Sequence, residues 1–164
     1  MISKETEQPD DAQIYFQRLL NTGNRTTEAH FYLGQLAELD QDWQTAIEYY
    51  EQIPPGTDFL AAINRIVSIY AMQGRIDTAS EHLQGLRQQY PEHSVRLYLL
   101  ESELLLNNNR AEESHELLTE ALLISPEQPS LLYARSMLSE RLGNLELMEQ
   151  DLLKIIAQDN NNAT

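Results

Sequence analysis

Histidines and glutamates are the side chains in this sequence whose spacing could support metal chemistry. Glu112 and His115 have the Glu-x-x-His spacing with which carboxylate-bridged metal bundles place two ligands on one helix face. Such a centre needs a second Glu-x-x-His and two further carboxylates, and the sequence contains no second copy. A solvated helix face is therefore the favoured interpretation, and we predict no metal and no other cofactor.

Residues suited to covalent or phosphate chemistry are dispersed along the chain. The sequence has no Gly-x-Ser-x-Gly nucleophile elbow, no glycine-rich phosphate loop and no cysteine. Acid pairs such as Glu112 with Glu113, or Glu101 with Glu103, are more simply interpreted as solvated surface than as a general acid and base. We therefore predict a protein that is not an enzyme and has no catalytic residue.

The composition is strongly acidic, with 26 Asp and Glu against 11 Lys and Arg and a formal net charge of −15. Affinity for nucleic acid comes mainly from clustered Lys and Arg, so this charge argues against a nucleic-acid partner and against adsorption to an anionic membrane. The 164 residues include no run of about 18 apolar residues, so we predict no membrane insertion by this sequence.

An apolar signature recurs five times and defines the elements that would position any site. Steps of 34, 33, 35 and 34 residues separate its opening positions, which are Ala12, Ala46, Ala79, Ser114 and Met148. A large apolar side chain follows four residues later in each copy: Phe16, Tyr50, Leu83, Leu118 and Leu152. Each copy ends at a turn residue or helix terminator: Asn24, Asp58, Pro91, Pro126 and Asn160. A period near 34 is typical of a helix–turn–helix unit that buries its apolar face by stacking on copies of itself.

These motifs resemble the tetratricopeptide repeat (TPR) family, whose first helix reads approximately large-x-x-Leu-Gly-x-x-Tyr and whose second reads Ala-x-x-x-Phe-x-x-Ala before a proline. The best copy has Leu33-Gly34 followed by Ala46 and Tyr50. The resemblance implies an all-α fold, an α-solenoid of antiparallel helix pairs with a right-handed superhelix. About nine helices are predicted, near 9–21, 27–39, 42–53, 58–73, 75–89, 93–107, 110–124, 128–142 and 144–158. We expect Gly34 and Ala46 to be small because the two helices of a unit cross closely there.

The repeat period also predicts unit boundaries. Residues 1–8 are expected to be a disordered segment or leader, and 9–26 the second helix of a truncated repeat. Four complete repeats are predicted at 27–59, 60–93, 94–127 and 128–160, followed by the start of a missing repeat at 161–164. Because the last helix has more apolar residues than one stripe needs, we expect a fragment of a longer repeat protein.

In the TPR family, partners usually lie in a concave groove lined by the first helices, so the resemblance implies a protein or peptide partner. The groove positions that carry over are Phe31, Gln35, Glu38, Asn64, Ser68, Arg96, Leu99, Glu103, Leu106, Tyr133, Met137 and Glu140. Some of them could merely cover the inner helix layer. Members that clamp chaperone C-termini have Lys and Asn at corresponding steps, whereas Phe31 and Gln35 stand here and Asn64 has no Lys beside it. The sequence therefore does not favour that clamp.

A narrower resemblance rests on Leu132–Gly143, Glu149–Leu152 and Asp159–Ala163. These segments are similar to the middle of large TPR proteins of Gram-negative bacteria, some of which are outer-membrane lipoproteins facing the periplasm. In at least one such lipoprotein the array binds a carboxyl-terminal processing protease and delivers cell-wall hydrolases to it. This resemblance implies an adaptor that recruits a periplasmic protease or its substrates. The compartment stays open between the periplasm, for an anchored parent, and the cytoplasm.

The leading prediction is thus a noncatalytic interaction scaffold, and the alternative is a self-assembly module. An enzyme or a metal protein is the least favoured class. Uncovered apolar side chains on the terminal helices could bury one another in a homo-oligomer. These self-association positions are Phe16, Leu19, Leu152, Ile155 and Ile156.

Overall fold

The computed structural model describes residues 7–23 and 25–162, and this part of the chain is all-α. Its helices are α1 (Glu7–Thr22), α2 (Thr26–Leu39), α3 (Trp43–Glu51), α4 (Phe59–Met72), α5 (Ile76–Gln89), α6 (Ser94–Asn107), α7 (Ala111–Ile124), α8 (Pro129–Arg141) and α9 (Leu145–Asn162). A single 3-10 turn at Pro91–His93 precedes α6. The expected nine helices are therefore found within the described residues, with boundaries close to those predicted.

The last helix is longer than predicted. Asn160 is predicted to end it, and this is wrong, because α9 continues to Asn162. Asparagine has a lower helix propensity than alanine, but unlike proline it keeps its N–H and does not clash with the preceding turn. Asn160 therefore weakens the helix without ending it. The predictions for residues 1–6, Asn24 and 163–164 lie outside the described residues.

The chain divides into two compact units, Met1–Gly74 and Arg75–Thr164. In the first unit α1 packs on α2, α2 on α3 and α3 on α4. In the second unit each helix from α5 to α9 packs on the next, and α6 also contacts α8. Contacts between sequence neighbours are the organisation of a repeat array. The exact limits of each repeat stay a prediction.

Close helix crossing in the first unit depends on small residues. Gly34 and Ala46 are both buried, and a Cβ placed on Gly34 would lie 2.6 Å from the Tyr50 ring. The Tyr50 side chain is itself fully buried. The prediction that Gly34 must be small is therefore confirmed, while Ala46, and Ala79 in the second unit, are fully buried.

One core cluster of the second unit lies between α6, α7, α8 and α9. The buried apolar members of this cluster are Ala111, Leu118, Ala121, Leu122, Leu131, Leu132 and Leu138. The crossing of α6 and α7 is polar, because the Ser102 and Ser114 hydroxyls are 2.7 Å apart and Ser114 also donates to the Ser102 carbonyl at 3.0 Å. Serine thus fills the small positions here, with its hydroxyl satisfied inside the core.

One position of the first helix changes from apolar to charged between successive repeats. The equivalent residues, each 34 residues after the last, are Leu33, Val67, Glu101 and Arg135, and all four are buried. Each charge has a partner on a neighbouring second helix: Arg87 donates to the Glu101 carboxylate, and Arg135 donates to both oxygens of Asp151 at 2.8 and 2.7 Å. The interpretation of Glu101 as solvated surface is therefore wrong, because its carboxylate is buried in an ion pair.

Candidate functional site

The predicted groove positions lie on the first helices of the repeats, α2 and α4 in the first unit and α6 and α8 in the second. All twelve belong to the described residues. The Glu38 side chain is only 8% exposed, and the other eleven side chains remain partly or fully accessible after the helix pairs have packed. The two units are described separately below.

In the first unit, an open cleft of about 510 Å³ is lined by residues of α2 and α4 together with Trp43. Of the predicted positions it includes Gln35, Glu38 and Ser68, while Asn64 is exposed on the same helix as Ser68. Leu39 and Met72 add two exposed apolar side chains to its wall. The cleft therefore combines apolar and hydrogen-bonding groups, as ligand and peptide sites do.

Glu38 is the hub of a polar cluster at this cleft. The Tyr50 hydroxyl donates to Glu38 Oε1, and Arg65 donates from Nε to the same oxygen at 2.8 Å and from Nη2 to Oε2. Burial and the bond to Glu38 raise the pKa of Tyr50, and the hydrogen bond to Glu38 raises the pKa of Arg65. The Glu38 carboxylate therefore joins α2, α3 and α4, and Arg65 presents the accessible charge.

Arg65 is a groove-side residue that the sequence analysis misses. Its neighbour Asn64 is among the predicted positions, and the guanidinium is about half exposed while bound to Glu38. The sequence did contain a signal for Arg65, because it is an isolated basic residue on the first helix of a repeat in an acidic chain. Phe31, by contrast, is half-buried, with its ring edge-on to Tyr50 at 5.6 Å.

In the second unit, α6 contributes two exposed charges, Arg96 and Glu103, and two half-buried leucines. Leu99 and Leu106 pack against the core of this unit, so they are less accessible than free anchors would be. Both leucines help to cover the core, which is the alternative that the sequence leaves open for some groove positions.

Helix α8 carries two accessible apolar side chains among the predicted groove positions. Tyr133 is 57% exposed and Met137 is 39% exposed, and Glu140 is exposed on the next turn. Spacings of four and three residues place all three on one face of the helix. The opposite side of α8 is held by Leu131, Leu132, Leu138 and the Arg135–Asp151 pair. Tyr133 and Met137 thus lie on a face that folding leaves available.

The predicted self-association positions are unequally covered. Phe16 is half-buried and stacks on Tyr32 with ring centroids 4.8 Å apart, so α2 covers part of it, and Leu19 is also half-buried. On α9, Leu152 and Ile155 are half-buried and Ile156 is exposed. Leu145 and Leu153 extend the exposed apolar surface of α9.

The Glu112 and His115 side chains do not converge. Glu112 is exposed, whereas His115 Nε2 lies 3.0 Å from the Ser139 hydroxyl on α8. Within residues 7–23 and 25–162, no three His, Asp or Glu side chains are grouped so that they could hold a metal ion. No helix in this part of the chain is long and apolar enough to cross a membrane.

Comparison with known protein families identifies the family to which these helix pairs belong. Two family models, both described as tetratricopeptide repeat, match residues 5–59 and 70–138. The chain belongs to the tetratricopeptide repeat family, whose stacked helix pairs form surfaces for binding other proteins.

A curated relative is TPR repeat-containing protein PA4667 of Pseudomonas aeruginosa, which is 42% identical over 135 residues. The match covers 82% of this chain and 23% of the relative, so the chain spans less than a quarter of the relative's length.

Solved structures show the same fold. The residue 41-to-end fragment of MamA from Desulfovibrio magneticus RS-1 has a TM-score of 0.58 at 15% identity, covering 95% of this chain and 88% of that one. YrrB, described as a TPR protein with an unusual peptide-binding site, has a TM-score of 0.51 at 13% identity, covering 93% and 78%. The predicted all-α solenoid of TPR type is therefore confirmed.

Proposed function

We propose that this chain is a noncatalytic scaffold that binds a protein or peptide partner. The partner would contact the first-helix faces, which are the accessible faces of the first helices α2, α4, α6 and α8. One observation carries the proposal: Tyr133 and Met137 stay exposed on the face of α8 that the core does not use. Membership of the TPR family and the peptide-binding site named for YrrB support a binding role for such a face.

The surroundings of Tyr133 and Met137 suit a binding anchor. Aromatic side chains dominate the energy of many interfaces, and polar groups usually form the rim around them. Glu140 on α8, and Arg96 and Glu103 on α6, are exposed charges of the same unit that would supply such a rim. In the first unit, Leu39, Met72 and Arg65 would play the corresponding roles at the α2–α4 cleft.

We further propose that the array recruits a periplasmic protease or its substrates. This rests on the resemblance of Leu132–Gly143 to large Gram-negative TPR proteins and on the 42% identity to a much longer Pseudomonas aeruginosa TPR protein. The anchors Tyr133 and Met137 belong to that same segment. The partner would therefore contact the segment that carries the resemblance to the large Gram-negative TPR proteins.

The test compares Tyr133→Ala with Tyr15→Ala, a matched control because Tyr15 is 53% exposed on α1. Partners captured from a periplasmic extract by the immobilised chain are identified by mass spectrometry, and their affinity is then measured for each variant. We expect Tyr133→Ala to weaken binding about 30-fold, the equivalent of about 2 kcal/mol for an interface hot spot. Equal binding by both variants would contradict the proposal. Leu99→Asp is a poorer test because Leu99 also covers the core.

Self-assembly is the second candidate function, favoured by the exposed apolar surface of α9. Leu145, Leu153 and Ile156 are all more than half exposed there, and burying such side chains favours association. Light scattering over a concentration series should detect oligomers that Leu153→Asp with Ile156→Asp abolishes. A chain that stays monomeric at every concentration would exclude this function.

A further inference from the structure

Helix α7 has an outer face that the proposed partner-binding positions do not include. Glu112, Glu116 and Glu120 follow one another at four-residue steps, and all three are exposed. Leu123 continues the row one turn later. The opposite face of α7 is buried in the core through Ala111, Ser114, Leu118, Ala121 and Leu122. The glutamates therefore form one continuous row along the accessible side of the helix.

Among the described residues, no basic side chain forms an ion pair with this row. Arg110, at the start of α7, pairs instead with Glu113 and with Asp77, whose Oδ1 lies 2.6 Å from Arg110 Nη1. Glu112 lies in the first turn of α7, where a negative charge stabilises the helix. Like charges four residues apart are destabilising, so the continuation of the row through Glu116 and Glu120 does not stabilise the helix.

An apolar surface adjoins the C-terminal end of the row. Leu123 is 81% exposed and Ile124 is 72% exposed. Ile124 and Glu120 border a cleft of about 350 Å³ between α5, α6 and α7, which is lined on its apolar side by Val95, Tyr98, Ala121 and Leu131. Arg87 also borders this cleft, but its charge is paired with Glu101 and its guanidinium lies over the Tyr98 ring, 4.2 Å from the centroid.

We propose that the outer face of α7 is a docking surface for a basic amphipathic helix of another protein. Charge complementarity selects this occupant, because Lys or Arg side chains at four-residue steps would repeat every 6 Å or so, the same rise that separates Glu112, Glu116 and Glu120. An apolar side chain of that helix would enter the cleft beside Ile124. This binding face is additional to the first-helix faces of the proposed function.

A second copy of the chain does not fit the same surface. The chain has a net charge of −15, and pairing two α7 faces would bring glutamates against glutamates. Repulsion between like charges disfavours that contact most strongly at low ionic strength. The structure therefore favours a basic partner over self-association at α7.

The experiment uses a fluorescently labelled synthetic helix with Lys at every fourth position and Leu on the adjacent stripe. Its affinity for the full chain is measured by fluorescence anisotropy. Replacing Glu112, Glu116 and Glu120 by Gln is compared with replacing Glu48, Glu51 and Glu149, which are exposed on other helices and remove the same charge. We expect the α7 variant to bind about tenfold more weakly, since each exposed ion pair contributes roughly a factor of two. The control variant should bind within about twofold of wild type.

A second variant tests the apolar half of the surface. Ile124→Ser should weaken binding about tenfold, because a buried isoleucine side chain favours association by at least that factor. Circular dichroism should show unchanged helix content in every variant. The proposal is overturned if both glutamate variants weaken binding equally, if Ile124→Ser has no effect, or if a peptide with Glu in place of Lys binds as tightly. Loss of self-association as the sole effect of the α7 changes would also overturn it.

Discussion

Replacing Gly34 with alanine should destabilise the first unit, although alanine is the better helix former. The added Cβ would lie 2.6 Å from Cε1 and 2.7 Å from Cζ of Tyr50. Carbon atoms in contact prefer about 3.5–4.0 Å, so the ring would have to retreat by roughly 1 Å. Tyr50 is fully buried, and its hydroxyl is bound to Glu38, so the retreat would also disturb the Glu38–Arg65 pair.

The size of the effect follows from two opposing contributions. Overpacking a core costs about 1–3 kcal/mol. Exchanging glycine for alanine inside a helix returns about 1 kcal/mol. We therefore expect Gly34→Ala to lower the free energy of unfolding by up to about 2 kcal/mol, instead of raising it by about 1 kcal/mol as an unhindered Gly→Ala exchange would.

Gly85 provides the matched control. It is exposed on α5, and a Cβ built there meets nothing within 4 Å. Gly85→Ala should therefore raise the free energy of unfolding by about 1 kcal/mol. Urea denaturation followed by circular dichroism would measure both variants. If Gly34→Ala stabilised the chain as much as Gly85→Ala, the close-crossing explanation would be wrong, and a Tyr50→Leu background should abolish the Gly34→Ala penalty if it is right.

Three further predictions concern buried groups. Asp151→Ala should cost about 3–5 kcal/mol in urea denaturation, because it leaves the buried Arg135 guanidinium unpaired; a cost below about 1 kcal/mol would contradict this. Burial lowers the pKa of His30 below its usual 6.5, so the unfolded chain binds the proton more readily and stability falls as the pH drops below about 6.5. His30→Gln should remove that part of the fall in a pH series of denaturation curves, and an unchanged pH profile would refute the assignment. Ala79→Leu should cost about 1–3 kcal/mol by overpacking a fully buried site, and a thermal melt equal to wild type would show that the site can expand.

The sequence contained most of the information needed for the helices and their tight crossings. Apolar residues at repeat spacing mark the buried stripes, and Pro91, Pro126 and Gly74 mark turns between them. Those features depend on local geometry, which periodicity records directly. Asn160 was the weak signal, because asparagine only lowers helix propensity and therefore did not fix the end of α9.

The polar parts of the interior were harder to predict, because their stability depends on partners from other helices. Glu101 and Glu103 look alike in sequence, yet Glu101 is buried with Arg87 while Glu103 is exposed. The same holds at the α2–α4 cleft, where Glu38 is a predicted groove position but its carboxylate is bound by Tyr50 and Arg65. A useful signal was the repeat register itself, since Glu101 occupies the position at which Leu33, two repeats earlier, and Val67, one repeat earlier, are buried.

The buried charges of the second unit make its repeats non-interchangeable. Glu101 on α6 needs the arginine on α5, and Arg135 on α8 needs the aspartate on α9. Transplanting α6 into the place of α8 would set the Glu101 carboxylate against Asp151, two anions that are both buried. Modules with purely apolar contacts could be shuffled or duplicated at little cost, whereas these can only be inherited together with their neighbours. The order of the helices in this unit is thus encoded electrostatically as well as by the covalent chain.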